Sequence, residues 1–406
     1  MVQIISMVLL SEIESAYSAQ QENLLVRDKG VGRFLFSQPG QTGHVDIITG
    51  IRRCGKSTYM NQLAVSIYGE ISFFTFEDPR VYGFDAGDFP KLLQVMGTNK
   101  NAYFFDEIQN VDGWEVFIRS LHDQGKKVFI TGSNASLLSR ELGTRLTGRH
   151  LGFELYPFSY KEFLQFFNLI ASESTFQQYL EKGGFPEYLK YGSVETLQQL
   201  FRDIIYRDIA VRYGVRNVKA MVEIALFLIS SAGKEYTLNR LKNSFNLGST
   251  NSASEYVGWF EDSYLIFSVP HFSWSAKSMA INPRKVYAID TGFAKANSLS
   301  YTNDQGRLLE NAVFIELKRN GLNINYFKQK HECDFLVFKS KKIDHAYQVC
   351  SSLTLDNKDR EINGLLEAME FFSLKKGTIL TLNQEDNFNV SGKEIKVIPV
   401  WKWMIS

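Results

Sequence analysis

The sequence predicts an α/β protein: a parallel sheet covered on both faces by helices, then a helical lid, a three-helix segment with a β-hairpin, and a second α/β domain. Three observations carry that prediction. Between about residues 43 and 170, short and nearly continuous apolar runs alternate with helical stretches, the pattern of strands buried on both faces. The first run leads into G-I-R-R-C-G-K-S, residues 50–57, which fits the phosphate-loop pattern G-x-x-x-x-G-K-[ST]. From residue 306 a second alternation of helix and strands begins.

In chain order, VDIIT (45–49) is a predicted buried strand, KSTYMNQLAVSIY (56–68) a helix and ISFFTF (71–76) a strand. FPKLLQVM (89–96) is helical, AYFFD (102–106) a strand, GWEVFIRSLHDQ (113–124) a helix and KVFITG (127–132) a strand. ASLLSREL (135–142) then reads as a helix and HLGFEL (150–155) as a strand. Segment 1–42 precedes this core of 43–158. Residues 159–213 are helical, broken by GGFPEY at 183–188, and read as a lid on the preceding domain. Residues 214–295 give three helical segments, VKAMVEIALFLISSA, TLNRLKNSF and SASEYVGWFEDS, and two β-rich pieces, YLIFSVPHF and KVYAID. That order is the order of a winged helix. In 296–406 come a helix (306–321), strands INYF, CDFLVF and AYQVC, a helix at 359–372, and strands TILTL and IKVIPV.

Composition bounds the function. A chain of 406 residues is too long for one ordinary core and implies two or three domains. With 44% hydrophobic and 22% charged residues it reads as a soluble globular protein. A net charge of +1, from 45 basic and 44 acidic residues, argues against a strongly basic nucleic-acid protein. The three cysteines, Cys54, Cys333 and Cys350, form no C-x-x-C pair, and a reducing cytosol fits them. The apolar start MVQIISMVLL lacks a basic flank. It is too short for a bilayer and reads as a buried element rather than a signal peptide, so no membrane is expected. The six histidines show no ligand spacing, and there is no H-E-x-x-H or G-x-S-x-G motif.

The phosphate loop carries its own chemistry. Gly50 and Gly55 let backbone N–H groups curl around a phosphate without Cβ clashes, and the helix beginning at Lys56 adds donors and a positive dipole end. Arg52, Arg53, Cys54 and Thr58 complete the loop and its helix start. Lys56 is expected on the β- and γ-phosphates and the Ser57 hydroxyl on Mg²⁺. YFFDE (103–107) ends an apolar strand in two acids; Asp106 would hold the metal and Glu107 would orient or deprotonate the attacking water. Asn134, following the strand KVFITG, reads either as a sensor of the γ-phosphate or as a cap of the next helix. One of Arg140, Arg145 and Arg149 in SRELGTRLTGR is a candidate finger, in cis or across a subunit interface.

The order GIRRCGKST, YFFDE, ITGSN, TGR, ELYPFSYKEF and GGFPEYL resembles a family of bacterial and archaeal AAA-type P-loop ATPases that carry a C-terminal domain of unknown function. The resemblance covers nearly the whole chain. It implies an AAA-type P-loop NTPase fold with ATP and Mg²⁺ as cofactors. No guanine-reading N-K-x-D occurs.

In the winged-helix candidate, SASEYVGWFEDS would be the recognition helix, yet it carries Glu255, Glu261 and Asp262 and no lysine or arginine. Base and phosphate readers are normally Arg, Lys, Asn or Gln. A protein partner is therefore expected before sequence-specific DNA, with Arg240, Lys242, Lys277, Arg284 and Lys285 available for a DNA backbone and a homo-oligomer open. The last domain resembles the restriction-endonuclease-like fold, with Glu310 on its helix, Asp334 on its strand and Gln348 where that signature reads [E/Q]-x-K. Cys350 replaces the lysine, so the site reads as degenerate unless Lys339, Lys341 or Lys342 substitutes. Three functions follow: an ATP-driven switch or weak ATPase, an ATP-gated nuclease, and a non-hydrolysing ATP-binding scaffold.

Overall fold

The computed structural model describes residues 8–26, 29–35, 38–40, 43–68, 72–134, 146, 148–299, 304–339 and 342–406. The chain divides into two compact units, Met1–Leu155 and Tyr156–Ser406.

The first unit is built on five strands: β1 (Val45–Thr49), β2 (Phe73–Thr75), β3 (Ala102–Asp106), β4 (Lys127–Gly132) and β5 (His150–Glu154). All pairings are parallel, in the order β2-β3-β4-β1-β5. Every residue of β1, β3 and β4 is buried, which is why these strands read as unbroken apolar runs. Phe104 and Phe129 stack across β3 and β4 with centroids 4.6 Å apart. The helix Leu10–Val26 packs on the helix Phe89–Met96 and on β2, so the described part of segment 1–42 belongs to this unit. The chain leaves β1, which lies between β4 and β5, and returns at the far edge as β2. Such a switch opens a crevice at the C-terminal strand ends, where ligands bind in open α/β sheets. The sheet, its order and its helices are those of an AAA-type P-loop fold.

The helices read as a lid fall within the second unit. An S-x-x-E capping box starts the first, Tyr160–Phe167: Ser159 N donates to Glu162 Oε2 at 2.7 Å and Glu162 N to Ser159 Oγ at 3.3 Å. Arg319 donates to the Pro157 carbonyl at 2.9 Å and approaches Glu162 at 3.9 Å. Asp290, which caps the helix Thr291–Asn297, accepts N–H bonds from Gly184 at 2.7 Å and Phe293 at 2.8 Å. These helices thus bury their apolar faces against the C-terminal half of the chain.

Next come the helix Val218–Ile229, β6 (Glu235–Tyr236), helices Leu238–Ser244 and Thr250–Asp262, β7 (Ile266–Pro270), a short helix Ala276–Ile281 and β8 (Arg284–Ala288). The three strands form an antiparallel sheet ordered β6-β8-β7. The separate C-terminal sheet has six strands: β9 (Asn323–Lys328), β10 (Glu332–Lys339), β11 (Lys342–Val349), β12 (Lys376–Thr381), β13 (Asp386–Val390) and β14 (Lys393–Pro399). Their order is β13-β14-β12-β11-β10-β9. The helix Lys358–Phe371 covers it, packing Leu365, Ala368 and Met369 against Leu336, Ala346 and Ile379. No helix of the described residues is long and apolar enough to cross a membrane.

Candidate nucleotide-binding site

The loops that follow β1, β3 and β4 leave adjacent strands at the same sheet edge, and they hold the predicted residues together. After β1 the backbone turns sharply: φ is +152° at Gly50, +63° at Arg53 and +103° at Gly55. A Cβ on Gly50 would stand 2.1 Å from the Leu155 carbonyl oxygen, so the loop closes only on glycine. The buried Cys54 thiol donates to that same carbonyl at 3.3 Å, and burial pushes its pKa up. Arg33 donates to the Cys54 carbonyl at 2.9 Å, and Arg52 pairs with Glu77 at 3.0 Å. Arg53 is exposed, and Thr58 is half-buried in the helix Lys56–Leu63 that follows.

Lys56 is buried, and its ammonium donates to the carbonyls of Gly50 (3.1 Å) and Ile51 (3.2 Å) and lies 3.5 Å from Glu107 Oε1. Burial opposes that charge most strongly, but Glu107, Cys54 and Asp106 together outweigh it and raise the lysine pKa. Ser57 Oγ donates to Asp106 Oδ2 at 2.8 Å. On the other side of Asp106, Thr131 Oγ1 donates to Oδ1 at 2.6 Å and accepts from the Glu107 backbone N–H at 2.9 Å. Burial, with the charge of Glu107 added, brings Asp106 up to about 6, against the pull of Thr131, Ser57 and Lys56. For Glu107, burial is overcome by Lys56 and by the Gln109 amide that donates to it, and its pKa falls.

Two non-glycine residues of the site, Arg53 (φ +63°) and Glu107 (φ +52°), are held in the left-handed region. That conformation costs about 1–2 kcal/mol for an L-residue, and such strain clusters at functional sites. Asn134 is buried two residues beyond the end of β4, at the same edge. Glycines that leave room for a phosphate, a lysine on the loop, and a hydroxyl paired with a carboxylate are a donor set that fits a nucleotide phosphate with its divalent cation. Thr131, which joins Asp106 to Glu107, was not singled out from sequence; its signal is a lone hydroxyl inside the buried run KVFITG.

Arg149 is not brought to this site. It immediately precedes β5, its carbonyl accepts from Val45 N at the start of β1, and its guanidinium lies 3.6 Å from Asp123. In a parallel sheet that is the edge opposite the phosphate loop, a strand's length away, and a role in cis has no geometric basis. Arg140, Arg145 and the helix expected over 135–142 lie outside the described residues.

The nuclease-like residues do converge. Glu310, on the helix Gln305–Arg319, and Asp334, on β10, meet at one ammonium, and Gln348 Oε1 accepts from Asp334 N at 3.3 Å. The ammonium is that of Lys285 on β8, 3.0 Å from Glu310, 2.9 Å from Asp334 and 2.7 Å from Glu332. Lys285 was one of five basic residues available for a DNA backbone; at 2% exposure it has no surface to offer one. Lys339 and Lys342 pair at the exposed far end of the β10–β11 hairpin and do not substitute, while Lys341 lies outside the described residues. Burial opposes the charge of Lys285, and Asp334 and Glu310 reverse that to hold it well above the ordinary lysine value. Among the described residues no three His, Cys, Asp or Glu side chains are arranged to hold a metal ion.

Comparison with known proteins agrees with the first unit's architecture. The family described as AAA domain matches residues 42–164, and one described as a domain of unknown function matches residues 173–303. An uncharacterized protein of Methanocaldococcus jannaschii is 34% identical over 395 residues, covering 89% of this chain and 88% of that protein. An uncharacterized protein of Haemophilus influenzae is 29% identical over 391 residues, covering 90% and 95%. Among solved structures, the Aeropyrum pernix ORC1 protein in complex with DNA is similar over 73% of this chain and 94% of that one, at 10% identity. Its TM-score of 0.29 is too low to carry an argument. With an AAA domain matched across the phosphate-loop unit and a relative 34% identical along most of both chains, this chain belongs to the AAA-domain proteins.

Proposed function

We propose that the chain binds ATP with Mg²⁺ at Gly50–Ser57 and hydrolyses it, acting as a nucleotide-dependent switch for its second unit. The observation that carries this reading is the unbroken relay Ser57–Asp106–Thr131–Glu107, which ties the loop hydroxyl to both acids. In this reading the loop N–H groups and Lys56 take the phosphates, and Ser57 and Asp106 hold the cation. When bound, Mg²⁺ neutralises phosphate charge. Glu107, kept ionised by Lys56, accepts the proton of the attacking water, and Asn134 orients that water at the γ-phosphate.

The sheet order β6-β8-β7 with its three helices supports the winged-helix reading of the second unit. Its helix Thr250–Asp262 carries no lysine or arginine, which supports a protein partner over base reading. The test is ATP turnover by the full chain alone and with single-stranded DNA, duplex DNA or RNA. Turnover unaffected by all three is expected; stimulation by any one would replace the protein switch with a nucleic-acid-dependent motor.

A further inference from the structure

Lys285 joins two sheets. It lies on the central strand of the three-stranded sheet, and its ammonium reaches the helix Gln305–Arg319 and β10 of the six-stranded sheet. An ammonium has three N–H donors, and here the three nearest acceptors are three carboxylates.

The carboxylates are spent as well. Glu310 Oε1 takes both Lys285 and the Tyr287 hydroxyl, the latter at 2.7 Å. Asp334 Oδ1 takes Lys285 and Oδ2 takes Val349 N–H at 2.9 Å. Glu332 gives its other oxygen to Lys328 at 3.1 Å. The Gln348 oxygen takes Asp334 N, and its amide donates to Glu361 at 2.7 Å. Backbone crowds two further sides: a Cβ on Gly233 would stand 2.8 Å from Glu310 Oε2, and one on Gly364 2.2 Å from the Glu332 carbonyl.

We propose that Lys285 permanently occupies the place a divalent cation takes in a nuclease-type acid cluster, so that the second unit's acid site is a metal-free internal ion lock. A cation such as Mg²⁺ needs oxygen lone pairs at about 2.0–2.1 Å in octahedral array, and here one oxygen of each carboxylate is already turned onto the ammonium. Lys285 does not stand in for the lysine missing at Cys350 as a catalyst either. The adjoining cleft, about 300 Å³, is lined by Glu310, Cys350, Arg307 and Arg360 but not by Lys285 or Asp334, so the ammonium has no donor and no opening for a substrate phosphate. The lock fastens β8 to β10 by charge, and withdrawing one partner strands the others buried and uncompensated. The proposal does not depend on ATP hydrolysis in the first unit.

The test is Mn²⁺ titration of the full chain without nucleotide, read by the electron paramagnetic resonance of free Mn²⁺, with melting temperature alongside. Wild type and Glu310→Gln are expected to bind Mn²⁺ identically, and Mn²⁺ to leave the wild-type melting temperature unchanged. Lys285→Met is expected to gain one Mn²⁺ site at least tenfold tighter than any in wild type, and to lose it again in the double variant with Glu310→Gln. A folded Lys285→Met that gains no site overturns the proposal. So does Mn²⁺ binding, or Mn²⁺-dependent plasmid nicking, that wild type shows and Glu310→Gln lacks; this comparison stands alone if Lys285→Met does not fold.

Discussion

Ser57 and Asp106 are joined by a 2.8 Å hydrogen bond between the first turn of the phosphate-loop helix and the end of β3. The hydroxyl and the carboxylate that would share a cation are thereby held together by the protein alone. Asp106→Asn keeps both neighbours bonded, since an amide can serve Ser57 and Thr131 in turn, but removes the charge. The expected result is a folded protein whose ATP turnover falls about 100-fold and whose nucleotide affinity no longer responds to Mg²⁺, measured by titration with and without the ion.

Thr131 positions rather than reacts. Thr131→Val is nearly isosteric and leaves Asp106 Oδ1 and the Glu107 N–H without their shared hydroxyl. Destabilisation of about 1–3 kcal/mol is expected, with kcat lowered about tenfold and KM nearly unchanged. Thr131→Ser restores the hydroxyl and should restore kcat; steady-state kinetics on the three proteins checks both statements.

The second unit should show a local pH dependence centred on Asp290. Burial, only partly offset by N–H bonds from Phe293 and Gly184, brings its pKa from 3.8 up to about 6. The folded state therefore binds this proton more tightly than the unfolded state. The group's contribution is greatest below pH 3.8 and is lost as pH rises through about 6, by an amount on the order of 3 kcal/mol at 1.36 kcal/mol per unit. Hydrogen exchange at the Phe293 and Gly184 amides should thus be better protected at pH 5 than at pH 7.5, after correction for intrinsic rates, and Asp290→Asn should abolish the difference.

What the sequence disclosed follows from how local each signal is. β1, β3 and β4 are buried on both faces, so unbroken apolar runs marked them, and the phosphate loop is contiguous. The helices between 160 and 211 were legible as helices, but an amphipathic face does not state which partner it meets, and the partners described above lie in the C-terminal half of the chain. β13, DNFNV, is a short edge strand with only two apolar residues, Phe388 and Val390, both half-buried, too brief an alternation to mark a strand. Lys285 was legible only as a basic residue available for a DNA backbone, because the acids it meets lie 25 and 49 residues away in sequence; only the folded chain shows its ammonium among them.

The central claim is that Gly50–Ser57 binds ATP for hydrolysis, and Lys56→Ala tests it most directly. Its ammonium holds the loop carbonyls and faces Glu107, so the variant removes the proposed phosphate contact and the charge that keeps the proposed base ionised. ATP turnover by purified full-length protein should fall about 100-fold or more while circular dichroism stays native. Turnover equal to wild type in a folded Lys56→Ala protein would contradict the account.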